Sequence, residues 1–316
     1  MRVFITGATG FVGQHLIRHL LRTAPDTQIT GTTLSLPEAA ADPRLRLVRC
    51  DLTGHGGEDI RRAVAAAAPD HVYHLAAVSS GAAADPAAVH AGNIDATRFL
   101  MAALAAEAPL ARCLFASTGY VYGPCDPKRP ARETDPLHPV GLYAESKRDA
   151  ERYAEAAGAV IVRAFNHTGP GQTDQFAIPA FARQIAEIER GLRPPHIDVG
   201  NLDAERDFLD VRDVVRAYAA LLQSPAAGTY AAGTYNVCRG RAVSLQSVLD
   251  DLLALAARPI AVVPDPARMR PGDLPVSVGD PAALTARTDW QPEIPWPQTL
   301  EDTLAAWRAS EQPPSS

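Results

Sequence analysis

The sequence predicts an α/β protein: a doubly wound parallel sheet with a smaller C-terminal α/β lobe. Three observations predict it. Short apolar runs alternate with helix-like stretches from residue 2 to about residue 164. A glycine-rich turn joins the first run to the first helix. After Ala164 the alternation fails and turn-rich polar stretches replace it. Regular alternation of this kind gives parallel strands joined by crossover helices. The expected division is a dinucleotide-binding domain over 1–164, rejoined by about 208–236, and an interrupted substrate lobe within 165–316.

Arg2-Val-Phe-Ile-Thr6 reads as a buried strand. Gly7-Ala-Thr-Gly10-Phe11-Val12-Gly13 follows, then a helix to Arg22. Glycines here permit a tight turn, close approach of backbone to a pyrophosphate, and close helix–strand packing. The helix start offers free N–H groups to phosphate. Gly7, Gly10, Phe11, Val12 and Gly13 are therefore candidate dinucleotide contacts in a Rossmann-type sheet. The second strand ends at Thr33, near where NAD-preferring sites place an acid about 20 residues past the glycines. With no carboxylate to repel a 2′-phosphate and no nearby arginine to welcome one, the sequence leans to NADPH over NADH.

Leu45–Cys50 is a third strand leading to Asp51-Leu52. Asp51 can accept from an adenine amino group or cap a turn. A helix over Ile60–Ala68 leads into the strand at His71–His74, then Leu75, Ala76 and Ala77, whose small side chains let a cofactor lie against backbone. His74 reads as a packed core histidine. Asp85–Glu107 is a long Ala-rich helix carrying Asn93 and Thr97. The strand Cys113–Ala116 ends in Ser117-Thr118, at the strand end where open α/β sheets bind ligands. Gly123–Val140 reads as a loop over the site.

Tyr143 and Lys147 lie four apart in the next helix, so they share one face. An ammonium beside a phenol is expected to lower the phenol pKa, and such a phenol can move a proton near neutral pH. Val160–Arg163 is the last strand of the regular pattern. Helices over Pro179–Arg190, Asp213–Leu222, Ser244–Ala256 and Thr299–Trp307 complete the chain.

Composition narrows the partners. The chain has 316 residues, 47% hydrophobic and 21% charged, with a net charge of -6. That leaves no basic footprint for nucleic acid and no polybasic run for a membrane surface. No apolar run is long enough to span a bilayer. The first strand directly follows Met1, which leaves no room for a signal peptide and points to the cytoplasm. Cys50, Cys113, Cys125 and Cys238 include no CxxC pair, and no metal site is expected.

With Gly7, Gly10, Gly13, Thr118, Tyr143 and Lys147 in place, the chain resembles the extended short-chain dehydrogenases/reductases, the NAD(P)-dependent nucleotide-sugar epimerases, dehydratases and reductases. The stretches Phe165–Gln172, 200–208 and Arg268–Trp307 resemble the branch that reduces GDP-4-dehydro-6-deoxy-D-mannose. The resemblance implies reduction of the C4 keto group of a GDP-linked 4-keto-6-deoxy hexose, to GDP-D-rhamnose or its C4 epimer. Tyr143 would protonate the C4 oxygen, Thr118 (or Ser117) would hydrogen-bond it, and Lys147 would hold the nicotinamide ribose. Arg206 and Arg270 are the implied diphosphate ligands, with Asn166, Asp273 and Arg183 beside them. A homodimer through the helices 85–107 and 143–157 is also implied. Related dehydratases carry an acidic residue where this chain has Tyr120, after Gly119; neither can replace a carboxylate, so dehydration is disfavoured. A 4-epimerase with tightly bound NAD is the alternative, and a non-catalytic NAD(P)-binding sensor is a weaker one.

Overall fold

The computed structural model describes residues 1–36, 42–78, 85–223, 232–269 and 274–310. Its main sheet contains β1 (Arg2–Thr6), β2 (Gln28–Thr33), β3 (Leu45–Arg49), β4 (His71–His74), β5 (Arg112–Thr118), β6 (Val160–Ala164) and, from much later in the chain, β10 (Gly233–Val237). All seven are parallel, in the order β10-β6-β5-β4-β1-β2-β3. The order reverses between β1 and β4, which opens a crevice at their carboxyl ends.

Alternation along each strand sends successive side chains to opposite faces. Val3, Ile5, Tyr73, Leu114, Val160 and Val162 pack on one side with α1 (Phe11–Thr23) and α7 (Val211–Gln223). Phe4, Val72, Cys113, Phe115 and Ile161 pack on the other with α2 (Glu58–Ala67), α4 (Ala96–Glu107) and α5 (Leu142–Ala156). Burying both faces explains why these strands read as unbroken apolar runs.

The expected helix over 85–107 is not uniform. It opens as the short α3 (Pro86–Val89), capped by Asp85, and passes through a π-turn at His90–Asp95 before α4. Asn93 sits in that turn and explains it. Its side chain accepts from the Val78 N–H at 2.7 Å and donates to Ser146 Oγ at 2.9 Å, which a regular helical turn would misplace.

The second core lies after β6. Strand β9 (Glu205–Asp210) pairs with β7 (Asn166–Thr168), β11 (Ala242–Ser244) and β13 (Val276–Ser277), while β8 (His196–Val199) pairs with β12 (Ala261–Pro264). Ile178, Phe181, Ile185, Phe208, Leu249, Trp296 and Leu300 join α6 (Ala177–Glu189), α8 (Leu245–Ala254) and α10 (Trp296–Arg308) around it. The intervening α9 (Ala282–Thr288) sets Leu284 into the core of the main sheet. The segment after Gly123 is tied down rather than free: the Cys125 and Ala131 N–H groups donate to the Val276 and Val278 carbonyls. No helix among the described residues is long and apolar enough to cross a membrane.

Candidate active site

The glycine turn sits at the switch point. Gly7 has φ +70°, and a Cβ there would lie 2.9 Å from the Ala76 nitrogen. At Gly13 a Cβ would lie 2.3 Å from the Gly7 oxygen. Only hydrogens fit at either place. Gly10 caps α1 without a side chain, so the first-turn N–H groups of Phe11 to Gly13 face outward. This cradle fits a dinucleotide pyrophosphate. Phe11 packs edge-on to His15 and lies parallel to His167, which joins the turn to the Asn166–Gln172 stretch.

The other predicted dinucleotide contacts ring this turn. Thr33 Oγ1 bonds Thr9 Oγ1 at 3.1 Å and donates to the Ser35 carbonyl. The sheet register makes Arg49 the partner of Thr33, a basic neighbour that their separation in sequence conceals. Asp51 caps its own turn, accepting from Thr53 N–H and Oγ1 at 2.9 Å each, and Leu52 is partly buried. Leu75 and Ala76 each donate an N–H to Thr6 Oγ1 at 3.1 Å, and Ala77 is exposed at the rim.

That double acceptance fixes a proton chain. Thr6, already accepting two N–H bonds, gives its own hydroxyl proton to His74 Nδ1 at 2.7 Å. His74 Nε2 then carries the ring proton and donates to Thr97 Oγ1 at 3.0 Å, and Thr97 donates to the Asn93 carbonyl. Burial, then the Lys147 charge, pushes the His74 pKa down to about 3, so the ring is neutral. His74 is the packed core histidine that the sequence suggests.

Strand β5 delivers the hydroxyls. Ser117 and its register partner Arg163 both face α5, as Phe115 and Ile161 do. Ser117 donates to Glu151 Oε1 at 2.5 Å and is committed there. Thr118, at the strand end, caps the turn Gly119–Tyr122 and accepts from the Tyr120 N–H at 3.3 Å. Its hydroxyl is near enough to the Tyr143 phenol to lower that group's pKa slightly. Strand alternation thus turns Ser117 to Glu151 and leaves Thr118 on the other face of the strand.

Tyr143 opens α5, and Lys147 follows one turn on, 2% exposed, with Nζ 4.1 Å from the Phe115 ring centroid. The expected sign of the tyrosine shift is corrected here. Burial and the nearby Tyr120 phenol push Tyr143 up to about 12, against the opposing Thr118 hydrogen bond. The ammonium rests over the Phe115 ring, and Glu151 raises its pKa against the effect of burial. A phenol that stays protonated at neutral pH is a proton donor matched to a developing alkoxide.

The substrate-side candidates divide. Asn166 Nδ2 donates to the Tyr120 hydroxyl at 3.1 Å, which places it beside the Thr118–Tyr143 pair. Arg206 is buried in β9 and donates to the Glu205 carbonyl at 2.8 Å. Arg183 bonds Asp174 and Glu187 and lies against Trp307, so its donors serve the second core. Arg270 and Asp273 lie outside the described residues. Sequence reasoning misses Phe115 and Glu151, which act on Lys147, and Arg163, which pairs with Glu151; the one available signal is that Glu151 continues the four-residue spacing of Tyr143 and Lys147.

Known proteins resemble this chain over nearly its whole length. A GDP-6-deoxy-D-mannose reductase of Pseudomonas aeruginosa is 35% identical over 98% of this chain and 97% of its own. A GDP-6-deoxy-D-talose 4-dehydrogenase of Aggregatibacter actinomycetemcomitans is 26% identical over 90% of each chain. The structure of RMD from Pseudomonas aeruginosa complexed with NADPH superposes with a TM-score of 0.81 at 33% identity, covering 98% of this chain and 99% of that one. The UDP-glucose 4-epimerase of Thermus thermophilus, in complex with NAD, gives 0.84 at 28% identity, covering 98% and 100%. Residues 3–238 match the sequence model of the NAD dependent epimerase/dehydratase family, and the chain belongs to that family.

Proposed function

We propose that this chain is an NAD(P)H-dependent reductase that converts the C4 keto group of a GDP-linked 4-keto-6-deoxy hexose to an alcohol, giving GDP-D-rhamnose or its C4 epimer. The observation that carries this is the placement of Thr118 at the carboxyl end of β5, with Tyr143 and a buried Lys147 one turn apart on α5. The likeness to the GDP-6-deoxy-D-mannose reductase over nearly the whole of both chains supports the substrate.

A bound reduced nicotinamide supplies the hydride. Tyr143 gives its proton to the oxygen at C4 as negative charge grows there. Thr118 hydrogen-bonds the same oxygen and fixes its position. Lys147 holds the nicotinamide ribose hydroxyls. The absence of a carboxylate at Thr33, with Arg49 beside it in the sheet, favours NADPH. Asn166 and Arg206 bind the nucleotide sugar, together with Arg270 and Asp273. The lobe built on β7–β9 and β11–β13 carries that sugar, and two copies pair through the helices within 85–107 and 143–157.

The test is Tyr143→Phe, supplied with the 4-keto sugar and NADPH. A fall of about 10²–10⁴ in kcat is expected. A rate near wild type overturns the assignment, and NMR of the sugar product identifies its C4 configuration. The likeness to an epimerase holding NAD favours a second reading, a 4-epimerase. Turnover of a GDP-hexose without added NADPH would select it.

A further inference from the structure

We propose that Glu151 is a positioning residue of this active site: held from two strands by Arg163 and Ser117, it keeps the Lys147 amine charged inside an apolar pocket. The proposal rests on the roles given above to Tyr143 and Lys147.

Tyr143, Lys147 and Glu151 are spaced by four, so one face of α5 carries phenol, amine and carboxylate in successive turns. Lys147 and Glu151 are 2% and 5% exposed. A buried ammonium loses its proton unless an anion compensates for the lost water. Among the described residues, Phe115 of β5 lies against the Lys147 amine, Glu151 acts on it from the next turn of its own helix, and His74 of β4 feels its charge. His74 is neutral, Tyr143 is protonated, and Arg163 has the wrong sign. Glu151 is the anion that acts on Lys147, and burial still pushes the amine down to about 7 against it.

The carboxylate is aimed with care. Arg163 donates to Oε1 at 3.1 Å and to Oε2 at 2.8 Å, and Ser117 donates to Oε1 at 2.5 Å. Arg163 is itself fixed by donation to the Tyr122 hydroxyl at 3.0 Å and by stacking over that ring. Tyr122 in turn donates to Asn236 in β10 at 2.7 Å. Glu151 therefore acts on Lys147 through space, and the amine keeps its N–H groups for the ribose.

The chain's two lysines are Lys128 and Lys147, so isotopic labelling of lysine gives two side-chain signals, assigned with Lys128→Arg. The experiment titrates the Lys147 ε-carbon signal in wild type, Glu151→Gln, Glu151→Asp and the double variant Glu151→Leu/Arg163→Met. The double variant removes a whole buried pair, which folds tolerate better than half of one. The Lys147 midpoint should fall by about one pH unit or more in Glu151→Gln, and by less in the double variant, which also loses the Arg163 cation. In Glu151→Asp it should stay nearer to wild type. An unchanged midpoint in folded Glu151→Gln, or a midpoint above wild type in the double variant, overturns the proposal. The titration uses neither cofactor nor sugar, so a chain that fails to reduce the keto sugar would leave this result standing and refute only the function above.

Discussion

Two cross-strand pairs stand side by side on the α5 face of the sheet, and they solve the same problem differently. Thr6 and His74, register partners on β1 and β4, begin a neutral chain that runs through Thr97. Ser117 and Arg163, register partners on β5 and β6, hold an ionised carboxylate. Phe115 divides them, touching the His74 ring on one side and the Lys147 amine on the other. The neutral chain orients the Leu75–Ala76 backbone under the dinucleotide cradle and needs no charge for that. The ionised set lies one helical turn from the buried Lys147 amine and acts on its charge. Polar groups buried to place backbone are kept neutral; those buried to hold an ion are themselves ionised.

The sharpest way to break this comparison is to remove half of the ionised pair. Arg163→Met leaves Glu151 buried with only Ser117 as a donor, and should cost about 3–5 kcal/mol of folding stability. The matching lesion in the neutral chain, Thr97→Val, removes one acceptor from His74 and should cost about 1–3 kcal/mol. Urea unfolding of both at neutral pH compares them directly. Equal costs would erase the distinction between the two sets.

A smaller effect separates them by pH. His74 has an ordinary value of 6.5 and is held at about 3 in the fold. Below 6.5 the unfolded chain takes up a proton that the folded chain refuses. Its contribution is complete above that pH and is lost as the pH falls towards 3, by up to about 1.4 kcal/mol per pH unit. His15, His19, His71 and His167 are shifted the same way, so the wild-type slope is shared. Replacing His74 by Leu should flatten that slope relative to wild type, whatever it does to stability at neutral pH. An unaltered slope would mean that His74 is protonated within the fold.

What the sequence discloses follows the same division between local and distant. The glycine turn and the Tyr143–Lys147 spacing lie within single elements, where periodicity speaks directly. Thr118 is legible as a strand-end hydroxyl, though Ser117 competes with it until alternation sends Ser117 to Glu151 and Thr118 to the other face. Arg163 and Tyr122 are assembled across separate elements, and no local pattern pairs them with Glu151. The shift of Tyr143 escapes the sequence for a related reason. Spacing by four sets two side chains on one face, but it does not say that their ends meet, and here the amine turns onto Phe115.

The least effect is expected at Arg183, and it sharpens the comparison from outside. Arg183 carries charge into the second core much as Arg163 carries it into the first. Its partners are Asp174 and Glu187, and its side chain is 12% exposed. No lysine or phenol of the Thr118–Tyr143–Lys147 group touches these carboxylates among the described contacts. Arg183→Met should therefore lower stability while leaving KM for the nucleotide sugar and the pH dependence of kcat within about twofold, the scale of a screened or indirect charge effect. A large rise in KM would return Arg183 to the diphosphate, where the family resemblance places it. That outcome would require the guanidinium to leave two carboxylates for a phosphate, and stability in the presence of GDP would then rise more for wild type than for the variant.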